Sequence, residues 1–192
     1  MAQRVRGILF VDYVRMVRSK KDVDWSKHLT PEDDAILSER IDPHGWYPMA
    51  TFERLGLAIM SEVARGALDG VRMWGRFQVE AVRKYFPELI AEGDPRETLM
   101  RFDVLGGSFF DSGALRVARV DDDSALVGVA YGMSAIAEES ASHQTLGFFE
   151  RLVDLAGGRA VDARFQSKSW EGAETTHIAL HWDPPVASRA GR

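Results

Sequence analysis

Apolar residues recur every three to four positions through the first half of the chain and every second position near its end, which predicts helices followed by strands. From Gly7 to about Arg18, the residues Ile8, Leu9, Tyr13 and Val17 fall mostly at helical spacing. The stretch "TPEDDAILSER" opens a second helix, with Thr30 as cap, Pro31 in the first turn and acids where the helix dipole favours them. The strongest stripe follows Pro48: Phe52, Leu55, Ile59, Val63 and Ala67 share one face of a helix over 48–67. Val71, Trp74, Phe77, Ala81, Tyr85 and Leu89 mark another over 70–91, which Pro87 bends or ends early. "GDPRETLMRF" reads as a short capped helix.

After that the period changes. "ALRVARV", "ALVGVAY", "AVDARFQ" and "THIALHW" are short runs rich in β-branched or aromatic residues. The last two alternate: Val161, Ala163 and Phe165 against Asp162, Arg164 and Gln166, then Ile178, Leu180 and Trp182 against His177, Ala179 and His181. "VDDDSA" and "SKSWEGAET" supply the turns, and between the strand pairs "HQTLGFFERLVDLAGG" predicts a helix facing inward through Leu146, Phe149, Val153 and Ala156. The order helices-β-β-α-β-β predicts an α+β fold, with an N-terminal helical layer packed on a four-stranded, mostly antiparallel sheet. One domain is expected over residues 4–183, with a polar, proline-broken, mobile tail at 184–192.

Composition narrows the function classes. The 192 residues, 45% hydrophobic and 28% charged, suit one soluble globule. A net charge of -5 supplies no general attraction to nucleic acid or anionic membranes. The absence of cysteine removes disulfides, thiolate nucleophiles and cysteine metal sites. The apolar run near the N-terminus is interrupted by Asp12 and Arg15, and no stretch approaches the ~20 residues of a membrane span. A cytoplasmic protein without membrane insertion is expected.

Candidate chemistry is sparse. Of His28, His44, His143, His177 and His181, only the last two are close in sequence, and on one strand they stand roughly 13 Å apart, too far to share a metal. "DDD" at 121–123 and "PEDD" at 31–34 lack the spacing of a calcium loop, and Glu138 and Glu139 suit a helix start. The glycine turns lack a phosphate-loop lysine, and the serines lack a nucleophile elbow. No catalytic residue, metal site or cofactor is expected. More informative are the aromatics crowded into the middle third, among them Trp46, Tyr47, Trp74, Phe77, Tyr85, Phe102 and Phe110. They read either as core or as the lining of an apolar pocket with Trp and Tyr tips as polar handles. Within "DPHGWYPMATF", Pro48 is expected in the first turn of the following helix and His44 in solvent, with Trp46 or Tyr47 folded back toward Phe52.

"VRGILFVDYVRMV", then "WYP" and a long amphipathic helix, a strand pair, "GFFERLVDLAGG" and a terminal hairpin ending "THIALHW" together resemble a ligand-binding superfamily. It groups haem NO-binding domains, four-vinyl reductase-like domains and vesicle-tethering TRAPP subunits. The resemblance spans residues 5–182 and implies a helical layer over a four-stranded antiparallel sheet, with a buried cavity between. Haem-binding members carry a histidine on the helix before the first sheet strand and a Tyr-x-Ser-x-Arg triplet. Here "RETLMRFDVL" has no histidine, and after Tyr131 stand Met133 and Ala135. The cysteines that suit zinc in four-vinyl reductase-like members are missing too. The resemblance therefore implies a haem-free bacterial sensory or adaptor module, not an enzyme, that binds a small apolar ligand and signals through a protein partner or homodimer. Its expected ligand-binding residues are Trp46, Tyr47, Trp74, Phe77, Tyr85, Phe102, Phe110 and Tyr131. The alternative is a protein-interaction scaffold with a filled core and no ligand.

Overall fold

Strand β1 (Arg4–Arg6) runs directly into helix α1 (Gly7–Ser19) and pairs antiparallel with β2 (Trp46–Pro48), Val5 opposite Tyr47. Three-residue strands are too short to show a period, so the sequence pattern does not announce them. Their close approach needs Gly7, because a Cβ there would lie 2.0 Å from the carbonyl oxygen of Asp42. The computed structural model describes residues 3–184. The expected tail at 184–192 lies, apart from Pro184, outside the described residues.

Helix α2 (Pro31–Ser38) begins at the threonine cap that its sequence predicts, completed as a capping box: Thr30 accepts from the Asp33 N–H, and Asp33 accepts from the Thr30 N–H. Helix α3 (Met49–Glu62) has Pro48 at its cap, with φ -61° and ψ 133°, one position before the first turn where the sequence reading put it. It also ends earlier than the apolar stripe suggests. Arg65 and Gly66 both adopt positive φ, 53° and 76°, and the Gly66 N–H returns to the Met60 carbonyl at 2.9 Å. Ala67 therefore caps the next helix, α4 (Leu68–Tyr85), which Pro87 terminates. Helix α5 (Pro95–Gly106) is capped by Asp94, whose carboxylate accepts from the Glu97 N–H at 2.8 Å.

Four strands follow: β3 (Leu115–Val120), β4 (Ser124–Val129), β5 (Arg159–Ser167) and β6 (Thr176–Asp183). They form one antiparallel sheet in the order β3-β4-β6-β5. Val127, Val129, Ile178, Leu180 and Trp182 are buried on its covered face. Helix α6 (Ala135–Leu155) starts well before His143, where the periodicity places it. The early turns of α6 bury Ala137, Glu138, Ser140 and Ser142, so both sides of this helix are inside and no single apolar stripe betrays its start. α5 and α6 lie on the sheet, α3 and α4 pack on α6, and α1 packs on α3 and α4.

The α4–α6 crossing is the tightest in the fold. A Cβ at Gly75 would meet the Gln144 carbonyl oxygen at 1.8 Å, and one at Gly147 the Arg72 carbonyl oxygen at 2.0 Å. Arg72–Glu150 at 3.1 Å and Arg76–Asp154 at 2.7 Å bridge its rim. The result is the α+β layer order expected from sequence. No described helix is long and apolar enough to cross a membrane.

Candidate functional site

Two glutamines on facing helices sit inside the molecule. Gln78 of α4 and Gln144 of α6 are buried, and they face each other because the glycine contacts bring the two backbones together. The Gln144 Nε2 donates to Gln78 Oε1 at 2.8 Å, while its Oε1 accepts from the Tyr13 hydroxyl at 2.5 Å. A second seam runs alongside: the Tyr131 hydroxyl meets Thr145 Oγ1 at 2.5 Å, and that hydroxyl donates to the Ala141 carbonyl at 2.9 Å. Burial drives the hydroxyl pKa of both tyrosines upward, against the lowering effect of their hydrogen bonds. Both are therefore neutral donors at physiological pH.

The loop that carries Tyr131 is pinned by Glu138. Its carboxylate accepts the backbone N–H of Tyr131 at 2.9 Å and of Met133 at 3.1 Å. Glu138 is buried, so it serves the preceding loop as well as the helix start that the sequence suggested.

Around these seams lies a central cavity of about 50 Å³ between helices and sheet. Phe52, Phe102, Phe109, Phe110 and Phe148 supply most of its apolar wall, and Tyr13, Gln78, Tyr131, Gln144 and Thr145 its polar edge. A second chamber of about 170 Å³ opens between α1, α3, α4 and α6, walled by Met16, Ile59, Met60, Val63, Val71 and Trp74. Tyr13 and Gln144 line both.

The expected ligand-lining residues divide accordingly. Phe102, Phe110 and Tyr131 line the central cavity and Trp74 the helical chamber. The other four line neither. Trp46 is half-buried beneath the Arg6 guanidinium, 4.0 Å above its ring centroid, with Arg4 at 5.5 Å. Tyr47 packs on Phe10 at 5.0 Å, and its hydroxyl accepts from the Asp42 N–H at 2.9 Å. Phe77 is 65% exposed and Tyr85 42% exposed, because α4 turns those positions away from α6. Sequence reasoning missed Tyr13, Gln78, Gln144, Thr145 and the buried role of Glu138. The available signal was a glutamine on an otherwise apolar stripe.

No protein-family model and no curated protein sequence matches the chain. Solved structures do. An Fe(II) unliganded H-NOX protein from K. algicida aligns over 94% of this chain and 98% of its own, with TM-score 0.65 and 13% identity. An H-NOX protein from S. oneidensis in the Fe(II)NO state covers 93% and 99%, with TM-score 0.64 and 10% identity. The chain has an H-NOX-like fold. An oxygen-binding H-NOX domain related to soluble guanylate cyclases, in its oxygen complex, is similar over 97% of this chain and 100% of that one, with TM-score 0.59 and 14% identity.

A further match concerns haem distortion in the H-NOX family, so haem is the group such a fold implies. The residues of this H-NOX-like chain do not fit it. The central cavity has about 50 Å³, against the several hundred Å³ of a cofactor pocket. Phe102 occupies the inward face of α5, packed 4.7 Å from Phe149 and 5.4 Å from Phe148. None of the five histidines lines the cavity: His28 pairs with Glu62 at 2.7 Å, His177 bonds Ser167 at 2.8 Å, His143 packs on Phe165 at 4.9 Å, and His44 and His181 are exposed. Among the described residues, no group of three or more His, Asp or Glu is placed to hold a metal ion.

Proposed function

We propose that this H-NOX-like chain is a haem-free sensory or adaptor module that binds a small apolar ligand within its helical layer and against its sheet. Occupancy is passed to a protein partner or a second copy, with no chemical step on the ligand. The observation that carries the reading is the pair of adjoining cavities that share Tyr13 and Gln144. Their walls are mainly apolar, with a few convergent hydrogen-bonding groups, which is the composition of small-molecule sites. Neither of these two cavities is lined by a carboxylate, a histidine or a cationic side chain, the groups that acid–base catalysis draws on.

Native mass spectrometry of the purified protein tests this. A retained mass of a small neutral molecule, or a saturable mass shift with added apolar probes, is the expected result. Haemin titration is its complement: a sharp, saturable Soret band abolished by substituting one of the five histidines overturns the haem-free reading. The close packing of the rings around the central cavity favours a second reading, a ligand-free interaction scaffold. A dimer spectrum with no retained or added small molecule at any concentration supports that one instead.

A further inference from the structure

The outward side of α4 departs from the polar face that a surface helix keeps in water. Met73 and Phe77, one turn apart, are 52% and 65% exposed, and Ala81 continues their row toward the half-exposed Tyr85. Gly70, Met73, Phe77, Glu80 and Lys84 recur at alternating spacings of three and four, the seam of a helix that packs on another helix. The inward side is already used, with Val71, Gly75, Gln78, Val79 and Val82 buried. Among the described residues, no element covers the outward row.

Charge says what fits it. Asp69 stands in the first turn of α4, and Arg83 and Lys84 in its last, all three exposed. Between them, Arg72 and Arg76 are held by Glu150 and Asp154 of the same chain. A two-fold axis crossing α4 near Phe77 lays a second α4 antiparallel on the first. Each copy's Asp69 then comes beside the other's Lys84, twice, on either side of a centre built from Met73 and Phe77. A parallel mate stacks acid on acid and base on base, and a partner of one charge sign is repelled at one end.

We infer that the outward row of α4 is the surface by which two copies of this chain associate, antiparallel about a two-fold axis near Phe77. This rests on the partner half of the reading above, names that partner as a second copy, and needs no ligand. An 18-residue helix is about 27 Å long, and one helix pair buries less than a permanent interface does, so the association is reversible and rises with concentration. The same α4 lines both cavities from its other side, through Gln78 and Trp74.

Sedimentation equilibrium of the full chain is the measurement. The expected result is a concentration-dependent dimer, weakened about tenfold or more by Phe77→Glu and unchanged by Val104→Glu, which alters an 85% exposed residue on α5. Both positions are exposed, so both variants keep the wild-type circular dichroism. Asp69→Lys and Lys84→Glu should each self-associate less than the wild type, while a one-to-one mixture of the two recovers the dimer, because each end then faces its opposite. The chain has no cysteine, so single cysteines report the register. Phe77→Cys is expected to cross-link to itself through a short bismaleimide, and Gly70→Cys, roughly 20 Å from its mate in this arrangement, is not. A monomer at every concentration up to about 1 mM overturns the inference. So does a dimer that survives Phe77→Glu or is lost in Val104→Glu, a mixture no better than its separate components, or self-cross-linking of Gly70→Cys. A monomer leaves the small-ligand reading standing, and a dimer whose native spectra hold no small molecule removes that reading and leaves this one.

Discussion

Replacing Gly147 or Gly75 by alanine tests whether the α4–α6 crossing organises the site. By intrinsic preference each change should help, since alanine in a helix interior is favoured over glycine by about 1 kcal/mol. Sterics oppose this. A Cβ at Gly147 lies 2.0 Å from the Arg72 carbonyl oxygen and one at Gly75 lies 1.8 Å from that of Gln144, and neither obstacle is a side chain that can swing aside. The helices must separate, which pulls Gln78 from Gln144 and Arg72 from Glu150, at 2.8 and 3.1 Å in the native packing. Overpacking, with the side-chain and backbone shifts it forces, costs roughly 1 to 3 kcal/mol. With loss of a buried amide hydrogen bond added, each variant is expected to lose about 3 kcal/mol net. For a chain of this length that lowers Tm by about 6 to 12 °C.

Urea melts followed by circular dichroism give the measurement, with Gly56→Ala as the control. There the nearest atom to a new Cβ is 3.8 Å away, so the propensity gain stands alone and the variant is expected to be up to about 1 kcal/mol more stable. The double variant Gly75→Ala with Gly147→Ala should cost less than the two singles combined, because one separation relieves both clashes. If Gly75→Ala and Gly147→Ala melt with Gly56→Ala, the close crossing is not what holds Gln78 and Gln144 together.

Arg54→Leu leaves the fully buried Asp33 carboxylate without the guanidinium 2.6 Å away. It should cost about 2 to 3 kcal/mol at neutral pH, below the range for fully buried pairs because the Arg54 side chain is 35% exposed. Burial pushes the Asp33 pKa up, but the Arg54 and Thr30 hydrogen bonds outweigh it and hold the carboxyl well below the usual range. Its stabilisation is thus complete above the ordinary pKa of about 3.9 and is lost only as pH falls through the depressed folded value; an urea-melt series should show the gap between wild type and Arg54→Leu persisting to pH of about 4 and closing below it. Tyr13→Phe strands the Gln144 oxygen and should cost about 1 to 3 kcal/mol in the same melts, a neutral result meaning that water replaces the phenol. Burial lowers the pKa of His143, so its NMR titration should fall below about 6.5, with the stability it contributes complete above that pH and lost as pH drops toward the folded pKa; a midpoint above 6.5 contradicts this.

The layer order could be read from apolar spacing because each of those elements hides one face and wets the other. Leu55 and Ile59 on α3, and Ile178, Leu180 and Trp182 on β6, are buried as their period requires. The start of α6 could not be read that way, since "AIAEESAS" is enclosed on more than one side and its serines and glutamate are inside. β1 and β2 escaped notice for a different reason: three residues cannot display a period of two, and their pairing depends on a glycine contact with residue 42, distant in sequence. Among the candidate residues, the rings that reach a cavity are those on α4, α5 and the loops at Phe110 and Tyr131. Phe77 and Tyr85 share the α4 stripe by spacing alone, and the stripe is wider than the surface α6 covers.

What decides the site is therefore the set of positions that break the pattern. Gln78 sits among Val71, Gly75, Val79 and Val82 on the buried side of α4, and by itself reads as a polar interruption facing water. Whether it faces water depends on how close the neighbouring helix comes, and Gly75 and Gly147 set that distance. Gln144 also accepts from the Tyr13 hydroxyl, and both residues line the central cavity and the helical chamber. Helical glycine costs stability that packing must return, and buried glutamine costs more unless every polar atom is satisfied. A wider crossing would let alanine and leucine stand at these positions. Their joint presence is local inconsistency of the kind that functional sites carry, and the small-ligand reading proposed above draws on it.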